Sequence, residues 1–379
     1  MARKYAHNTS ADALLAPAKG AVFFEDWDAA ADTANHDLLC AEMSRLAYAD
    51  EKTVTTALAK IGFSPVGFLG GDTLAARTAA KGTQGFVAKH PALNLTILAF
   101  RGTESGKFED LVSDLDTVQT DFPGGGRIHS GFLKAYRPVQ ARIETLLAQR
   151  TGPLLVTGHS LGAALATVTA AAMGTAPDKL ITFGSPRVGD SAFCARIKSR
   201  LAPDAIHRFV DCCDLVTRVP PERFDASHFS TLFGELGNFD GLSPIKRKVA
   251  EAVAQIAARA LAHGFRSLRP PLEFTHVAPP RFIRADGGLV ENPSVDQQLQ
   301  DQRAARAAYP HSTANQLDQL QALLKALHAP ASGQGELRAF VHGLFGLVRS
   351  DPVRLRDLAD HAPINYLSGI AGRVLPFGQ

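Results

Sequence analysis

Apolar residues at helical spacing first organise the chain between His36 and Tyr48, where Leu38, Leu39, Ala41, Met43, Leu46 and Ala47 make one face of an amphipathic helix. Two loosely alternating runs, Phe63–Phe68 and Gln84–Lys89, read as short strands. Asn94–Arg101 reads as a buried strand, bounded by Pro91 and Gly102. From there the two periods alternate with short connections: helix 132–149, strand 153–157, helix 161–173, strand 179–183, helix 190–201, strand 205–210. Such alternation predicts an α/β fold, a mostly parallel central sheet flanked by helices, with ligands bound at the C-terminal ends of the strands.

After Pro220-Pro221 the alternation stops. Residues 241–264 read as one helix: Ser243 suits the N-cap, Pro244 the first helical position and Gly264 the stop, while Ile245, Val249, Val253, Ile256 and Ala260 share a face. Phe274–Ile283 and Gly288–Val290 can form a hairpin around Ala285-Asp286-Gly287, with Pro279-Pro280 confining the first strand to an edge or interrupting it. Helical patterns return at 295–308, 313–328 and 335–349. The expected organisation is an N-terminal extension over 1–29 and one catalytic-size unit over 30–379, interrupted by a largely helical insertion at about 241–350.

Composition narrows the class without choosing a function. The 379 residues are 45% hydrophobic and 20% charged, enough to bury a sizeable core, and the net charge of +3 comes with no nucleic-acid signature, so no nucleic-acid partner is expected. Charge is uneven, however: Gly241–Pro271 holds Lys246, Arg247, Lys248, Arg259, Arg266 and Arg269 against Glu251 alone. The basic helix over 244–263 is therefore a candidate for peripheral membrane contact, weighed against ordinary packing of its apolar face on the core. No apolar run is long enough to span a bilayer and no secretory h-region follows Met1, which makes a cytoplasmic location the expectation, with non-classical secretion left open. The four cysteines are Cys40, Cys194 and the adjacent Cys212 and Cys213. They suggest no disulfide framework, and with no zinc or nucleotide motif no metal or cofactor is expected. Oligomeric state is left open.

The chemistry gathers at Leu154-Leu155-Val156-Thr157-Gly158-His159-Ser160-Leu161-Gly162-Ala163-Ala164, where an apolar run feeds GHSLG and an alanine-rich helical pattern follows. A bare GxSxG is weak; strand, sharp turn and helix around it are the context a nucleophile elbow requires. Gly158 and Gly162 supply the small residues that let strand and helix approach, and the Leu161 N–H would point at the oxyanion formed when Ser160 Oγ attacks a carbonyl. A serine nucleophile needs a base, and the base an orienting acid. Asp211 and Asp214 both stand at the end of the strand over 205–210, and seven histidines follow them: His228, His263, His276, His311, His328, His342 and His361. Spacing leaves both choices open.

The sequence resembles the class 3, filamentous-fungal type lipases. Phe100-Arg101-Gly102-Thr103 is similar to the family's FRGT, Ile128-His129-Ser130-Gly131-Phe132 to VHxGF, Gly158–Ala166 to GHSLGGALA, and Thr182–Gly189 to TFGxPRVG. Cys213–Pro221 is similar to RDxVPxxPP, with Thr217 where the family has proline, and His361–Leu367 to HxxxxYL. The resemblance implies an α/β-hydrolase fold with Ser160 as nucleophile, Asp214 as acid and His361 as base, and an oxyanion hole formed by Thr103 and Leu161. It also implies a lid over Glu104–Thr117, modestly amphipathic through Phe108, Leu111, Val112 and Leu115, and no cofactor. His129 and Arg101 are read as structural.

What the resemblance implies is a serine carboxylic ester hydrolase that cleaves acyl glycerides or related lipid esters through an acyl-serine intermediate. Phospholipase A1 and short-chain carboxylesterase are alternatives within the class. A catalytically inactive lipid-binding or interaction protein on the same scaffold is the alternative outside it, and it would be expected to lack one of the named residues.

Overall fold

The structure is a computed structural model of the whole chain, and it describes residues 8–14, 33–70, 84–102, 119–237, 244–265, 271–307 and 360–374. The helices expected over 313–328 and 335–349, the lid segment Glu104–Thr117, Thr103 and the N-cap candidate Ser243 lie outside the described residues.

An eight-stranded sheet forms the centre. Its strands are β1 (Ser64–Phe68), β2 (Gly85–His90), β3 (Leu95–Phe100), β6 (Leu154–His159), β7 (Lys179–Phe183), β8 (Ile206–Asp211), β9 (Pro280–Ile283) and β10 (Leu289–Glu291), side by side in that order. The middle, from β3 through β9, is parallel; β1–β2–β3 and β9–β10 close the two ends antiparallel. Residues buried on both faces explain why β3 and β6 are continuously apolar runs instead of alternating ones. A separate two-stranded ribbon pairs β4 (Gln119–Asp121) with β5 (Arg127–His129). The helix-flanked, mostly parallel sheet expected from the sequence is therefore present.

Helices cover both faces. On one side α3 (Ser130–Leu147), α4 (Leu161–Ala172), α5 (Ser191–Lys198) and α7 (Pro244–Phe265) share a core that includes Phe132, Leu165, Phe193 and Ala258. On the other, α1 (Thr33–Leu46), α2 (Glu51–Lys60) and α9 (Pro363–Val374) pack with Leu39, Leu58 and Tyr366 over Ile97, Phe183 and Phe209. Three helices escaped the periodicity reading: α2, capped by Asp50 through Thr53 N, α6 (Ala226–Gly237), whose Phe229 enters the core, and α9. The N-terminal extension is tied down in part, since Leu14 is buried and Arg45 Nη1 donates to the Asn8 and Ser10 carbonyls at 2.8 and 3.1 Å.

The hairpin expected inside the mainly helical stretch is present as β9 and β10, and it lies in the central sheet. Of the two outcomes expected of Pro279-Pro280, the edge position does not occur, since β9 lies between β8 and β10, but the interruption does: the strand starts only at Pro280, opposite Arg208, where a missing N–H costs least. The helix expected over 241–264 is α7, and among its described side chains the buried ones are Ala254, Ala258 and Ala262, not the isoleucines; methyl side chains let a helix sit close to α6 and the core. Ile245 and Ile256 are left exposed.

At the crossing of β6 and α4, backbone approaches backbone closely. A Cβ on Gly162 would stand 2.3 Å from the Phe100 carbonyl oxygen, and one on Gly158 would stand 2.2 Å from that of Gly162. Gly162→Ala should therefore force α4 away from β3 and cost about 2 kcal/mol, as overpacking of close-packed interiors does. Urea unfolding followed by circular dichroism measures it, and an unchanged midpoint would contradict the close approach.

Candidate active site

Ser160 occupies the single residue between β6 and α4. Its backbone has φ 59° and ψ −126°, a left-handed conformation that a residue with a side chain holds only when its surroundings enforce it. The enforcing contacts are a hydrogen bond from Ser160 N to the Phe183 carbonyl (3.0 Å) and the start of α4, where Ala163 N donates to the Ser160 carbonyl at 3.0 Å. The side chain is buried, and Ser160 Oγ makes no hydrogen bond with a described residue. Leu161 is the first residue of α4, so its N–H is among the first-turn donors that a helix leaves without an internal partner, at the positive end of the helix dipole. Of the two expected oxyanion donors, Leu161 is thus placed beside Ser160, and Thr103 lies outside the described residues.

The structure brings Asp214 and His361 together across 147 residues of chain: His361 Nδ1 faces both carboxylate oxygens, at 3.0 and 2.9 Å. Asp214 follows β8 and caps the short 3₁₀ turn Leu215–Arg218, accepting from Val216 N at 2.9 Å. Its other oxygen accepts from the Tyr366 hydroxyl at 2.5 Å. A buried carboxylate is tolerated because backbone amide, phenol and imidazole all donate to it. Burial, reinforced by the Asp214 and Asp211 charges, pushes the Tyr366 phenol well above its ordinary value, so the hydroxyl stays a donor. Between the two candidate acids, it is Asp214 that meets the imidazole, while Asp211 offers its backbone N–H to the Tyr366 oxygen at 3.0 Å.

His361 and Ser160 share one corner of the sheet through His159. The His159 ring packs on the His361 ring with centroids 4.4 Å apart. His159 Nε2 donates to the His361 carbonyl at 2.5 Å, and its Nδ1 therefore accepts from the Tyr48 hydroxyl at 2.8 Å. Gly184 forms the floor. With φ +58°, it leaves room where a Cβ would come within 2.7 Å of Asp214 Oδ2 and 3.1 Å of His361 Nδ1. Asp360, buried beside the base, accepts from Cys213 N, beside the acid, at 2.9 Å. This second tie runs parallel to the Asp214–His361 contact.

Of the remaining sequence candidates, His276 and His129 make their bonds away from this corner, and Arg101 borders it through Tyr48. His276 Nε2 donates to the Thr217 carbonyl at 2.9 Å, and burial followed by the Arg208 and Arg187 charges holds its pKa well below the ordinary imidazole value. His129 caps α3 by accepting from Gly131 N at 3.1 Å and packs on Phe132 and Phe274; burial, and then Lys134, hold it at about 4. Arg101 bonds the Gln84 side chain and lies over the Tyr48 ring at 6.0 Å. Among the described residues, one group could ligate a metal: Cys212 and Cys213 sulfurs with an Asp360 oxygen, buried and within 4.8 Å of one another. Tyr366, Gly184, His159, Tyr48 and Asp360 were not assigned roles from the sequence. Of these, Tyr366, His159 and Gly184 stood inside quoted motifs, HxxxxYL, GHSLG and TFGxPRVG.

Residues 97–224 match the class 3 lipase family, so the resemblance carried by the motifs holds over that segment. A lipase of Rhizopus niveus is 32% identical over 160 residues, which cover 38% of this chain and 40% of the relative. The secreted mono- and diacylglycerol lipase 1 of Fusarium solani is 38% identical over 117 residues, covering 29% of this chain and 34% of the relative. The chain thus spans well under half the length of these curated relatives. Among solved structures, the mono- and diacylglycerol lipase of Aspergillus oryzae aligns with a TM-score of 0.40 at 24% identity, covering 50% of this chain and 74% of that one.

Two outcomes follow from the geometry. Tyr366→Phe keeps the ring but removes the donor to Asp214, and turnover should fall about tenfold, whereas Asp214→Asn, which loses control of the imidazole tautomer, should lose about 10⁴-fold. Steady-state kinetics on the two folded variants checks the order. His129 gives a stability signature. Its folded pKa of about 4 lies below the free value of 6.5, so the unfolded chain binds the extra proton between those values. The stabilisation is complete above pH 6.5 and is lost as the pH falls towards 4, on the order of 3 kcal/mol for this one group. Thermal melts across that window should flatten in His129→Asn, which can still cap α3.

Proposed function

We propose that this chain, whose residues 97–224 match the class 3 lipase family, is a serine hydrolase of carboxylic esters that acts on acyl glycerides or related lipid esters. The observation that carries the reading is Ser160, held in a left-handed turn at the mouth of β6 while the His361–Asp214 pair packs against the neighbouring His159. In the proposed reaction Ser160 Oγ attacks the ester carbonyl carbon as His361 Nε2 accepts its proton, and Asp214 steadies the resulting imidazolium from the Nδ1 side. Negative charge develops on the carbonyl oxygen and meets the Leu161 N–H, with Thr103 as the expected second donor. The C–O bond to the alcohol then breaks, the alcohol leaves with the proton from His361, and water returns the acyl group from Ser160 by the same steps in reverse order.

What supports a lipid ester over a generic small one is that the relatives are named as lipases, among them a mono- and diacylglycerol lipase. Peripheral contact with the lipid aggregate through the basic helix, residues 244–263, belongs to the same proposal. Phospholipase A1 and short-chain carboxylesterase activities differ from it in substrate alone.

Fluorophosphonate treatment of the full chain should add one adduct by intact mass, absent in Ser160→Ala. His361→Ala should reduce ester turnover by several orders of magnitude where His276→Ala does not. Labelling that survives Ser160→Ala would overturn the nucleophile. A series of p-nitrophenyl esters of rising acyl length, below and above substrate aggregation, separates lipase from esterase.

A further inference from the structure

Helix α7 has two faces of different character. Ala254, Ala258 and Ala262, four residues apart, are buried and anchor the helix to the core. A second stripe, Ile245, Lys248, Ala252, Ile256, Arg259 and His263, recurs every three or four residues along about 27 Å of helix, and every member is exposed. Ile245 is 79% and Ile256 60% exposed, two of the four exposed large hydrophobic side chains among the described residues. The stripe carries no carboxylate. Glu251, the one acid of α7, lies on the flank, paired with Arg247 at 2.9 Å.

We propose that this stripe is a docking surface for an anionic phospholipid membrane: Ile245 and Ile256 enter the acyl boundary while Lys248 and Arg259 face the headgroups. Charge complementarity and area together select this occupant. Two cations without a counter-charge among the described residues are drawn to a negative leaflet, each strengthening partition several-fold, and a separated pair of isoleucines is the amount of apolar surface that inserts reversibly from one side of a helix. The same pair is a small fraction of the roughly 800 Å² per partner that a stable protein interface buries. The alanine anchor makes the device rigid, since α7 does not have to leave the core to present its isoleucines. The purpose of docking rests on the lipid-ester reading above; the docking itself does not.

The test uses the full chain with Ser160→Ala, so that binding is measured without turnover. Co-sedimentation with phosphatidylcholine vesicles, with and without phosphatidylserine, should show partition onto the phosphatidylserine vesicles that weakens as salt rises. Lys248→Gln with Arg259→Gln should lower that partition about 30-fold, and Ile245→Ser with Ile256→Ser at least tenfold, both without change in the circular dichroism melt because all four side chains are exposed. Equal binding to the two vesicle types, binding that neither double variant reduces, or no binding at low salt would overturn the proposal. Self-association by sedimentation velocity that the isoleucine variants abolish, with no vesicle binding, would overturn it in favour of a second copy. A wild-type chain that docks as described yet hydrolyses no ester would sink the enzymatic reading and leave the surface standing.

Discussion

A carboxylate that is taken out of water must be met by donors or the fold loses several kcal/mol, and Asp214 sets that demand at the end of β8. Only one of its donors, Val216 N, is local. The other two, the Tyr366 hydroxyl and the His361 imidazole, arrive from α9 and the residues just before it, so the C-terminal helix is drawn to the sheet by the acid as much as by its apolar face. With α9 in place, Leu367, Ile370 and Ala371 complete the core beneath Phe183 and Phe209. Packing and polar satisfaction therefore specify the same position, which is the agreement between levels that makes one arrangement win.

That double specification also explains what could be read from the sequence and what could not. β3, β6, α4, β7 and β8 were legible because their periods are local and because GHSLG requires small residues where strand meets helix. The sheet edges were less so. Pro280 looked like a barrier to an interior strand, yet the first position of β9 asks nothing of its missing N–H. On α7 hydropathy favoured Ile245 and Ile256 for the core, yet among the described side chains the buried ones are alanines, which allow the closer approach.

At the site, the elbow announces itself in eleven consecutive residues, whereas the acid and base are fixed by tertiary contacts that spacing does not encode. Asp211 against Asp214, and seven histidines against one another, were separable only through similarity to known motifs. Gly184 stood in the TFGxPRVG motif without a role, read as a turn until Asp214 and His361 are seen pressed against it, and Asp360, an aspartate beside His361, is read as surface charge until the Cys213 amide is found on it. Thr103 and the segment after it stand outside the described residues, so of the two proposed oxyanion donors only Leu161 is described.

The tie between residues 213–214 and 360–361 has a temporal meaning. A chain emerging from the ribosome can build β3, β6, α4, β7 and β8, and with them the serine and the acid, long before residue 361 has been made. Closing the 147-residue interval is among the most entropically expensive contacts in the molecule and the last to become possible. On the proposed assignment, a nascent or truncated chain carries a strained serine that has no base to activate it. Hydrolytic competence would then begin with docking of the final helix, and a chain cut short in translation would be inert towards the lipids around it.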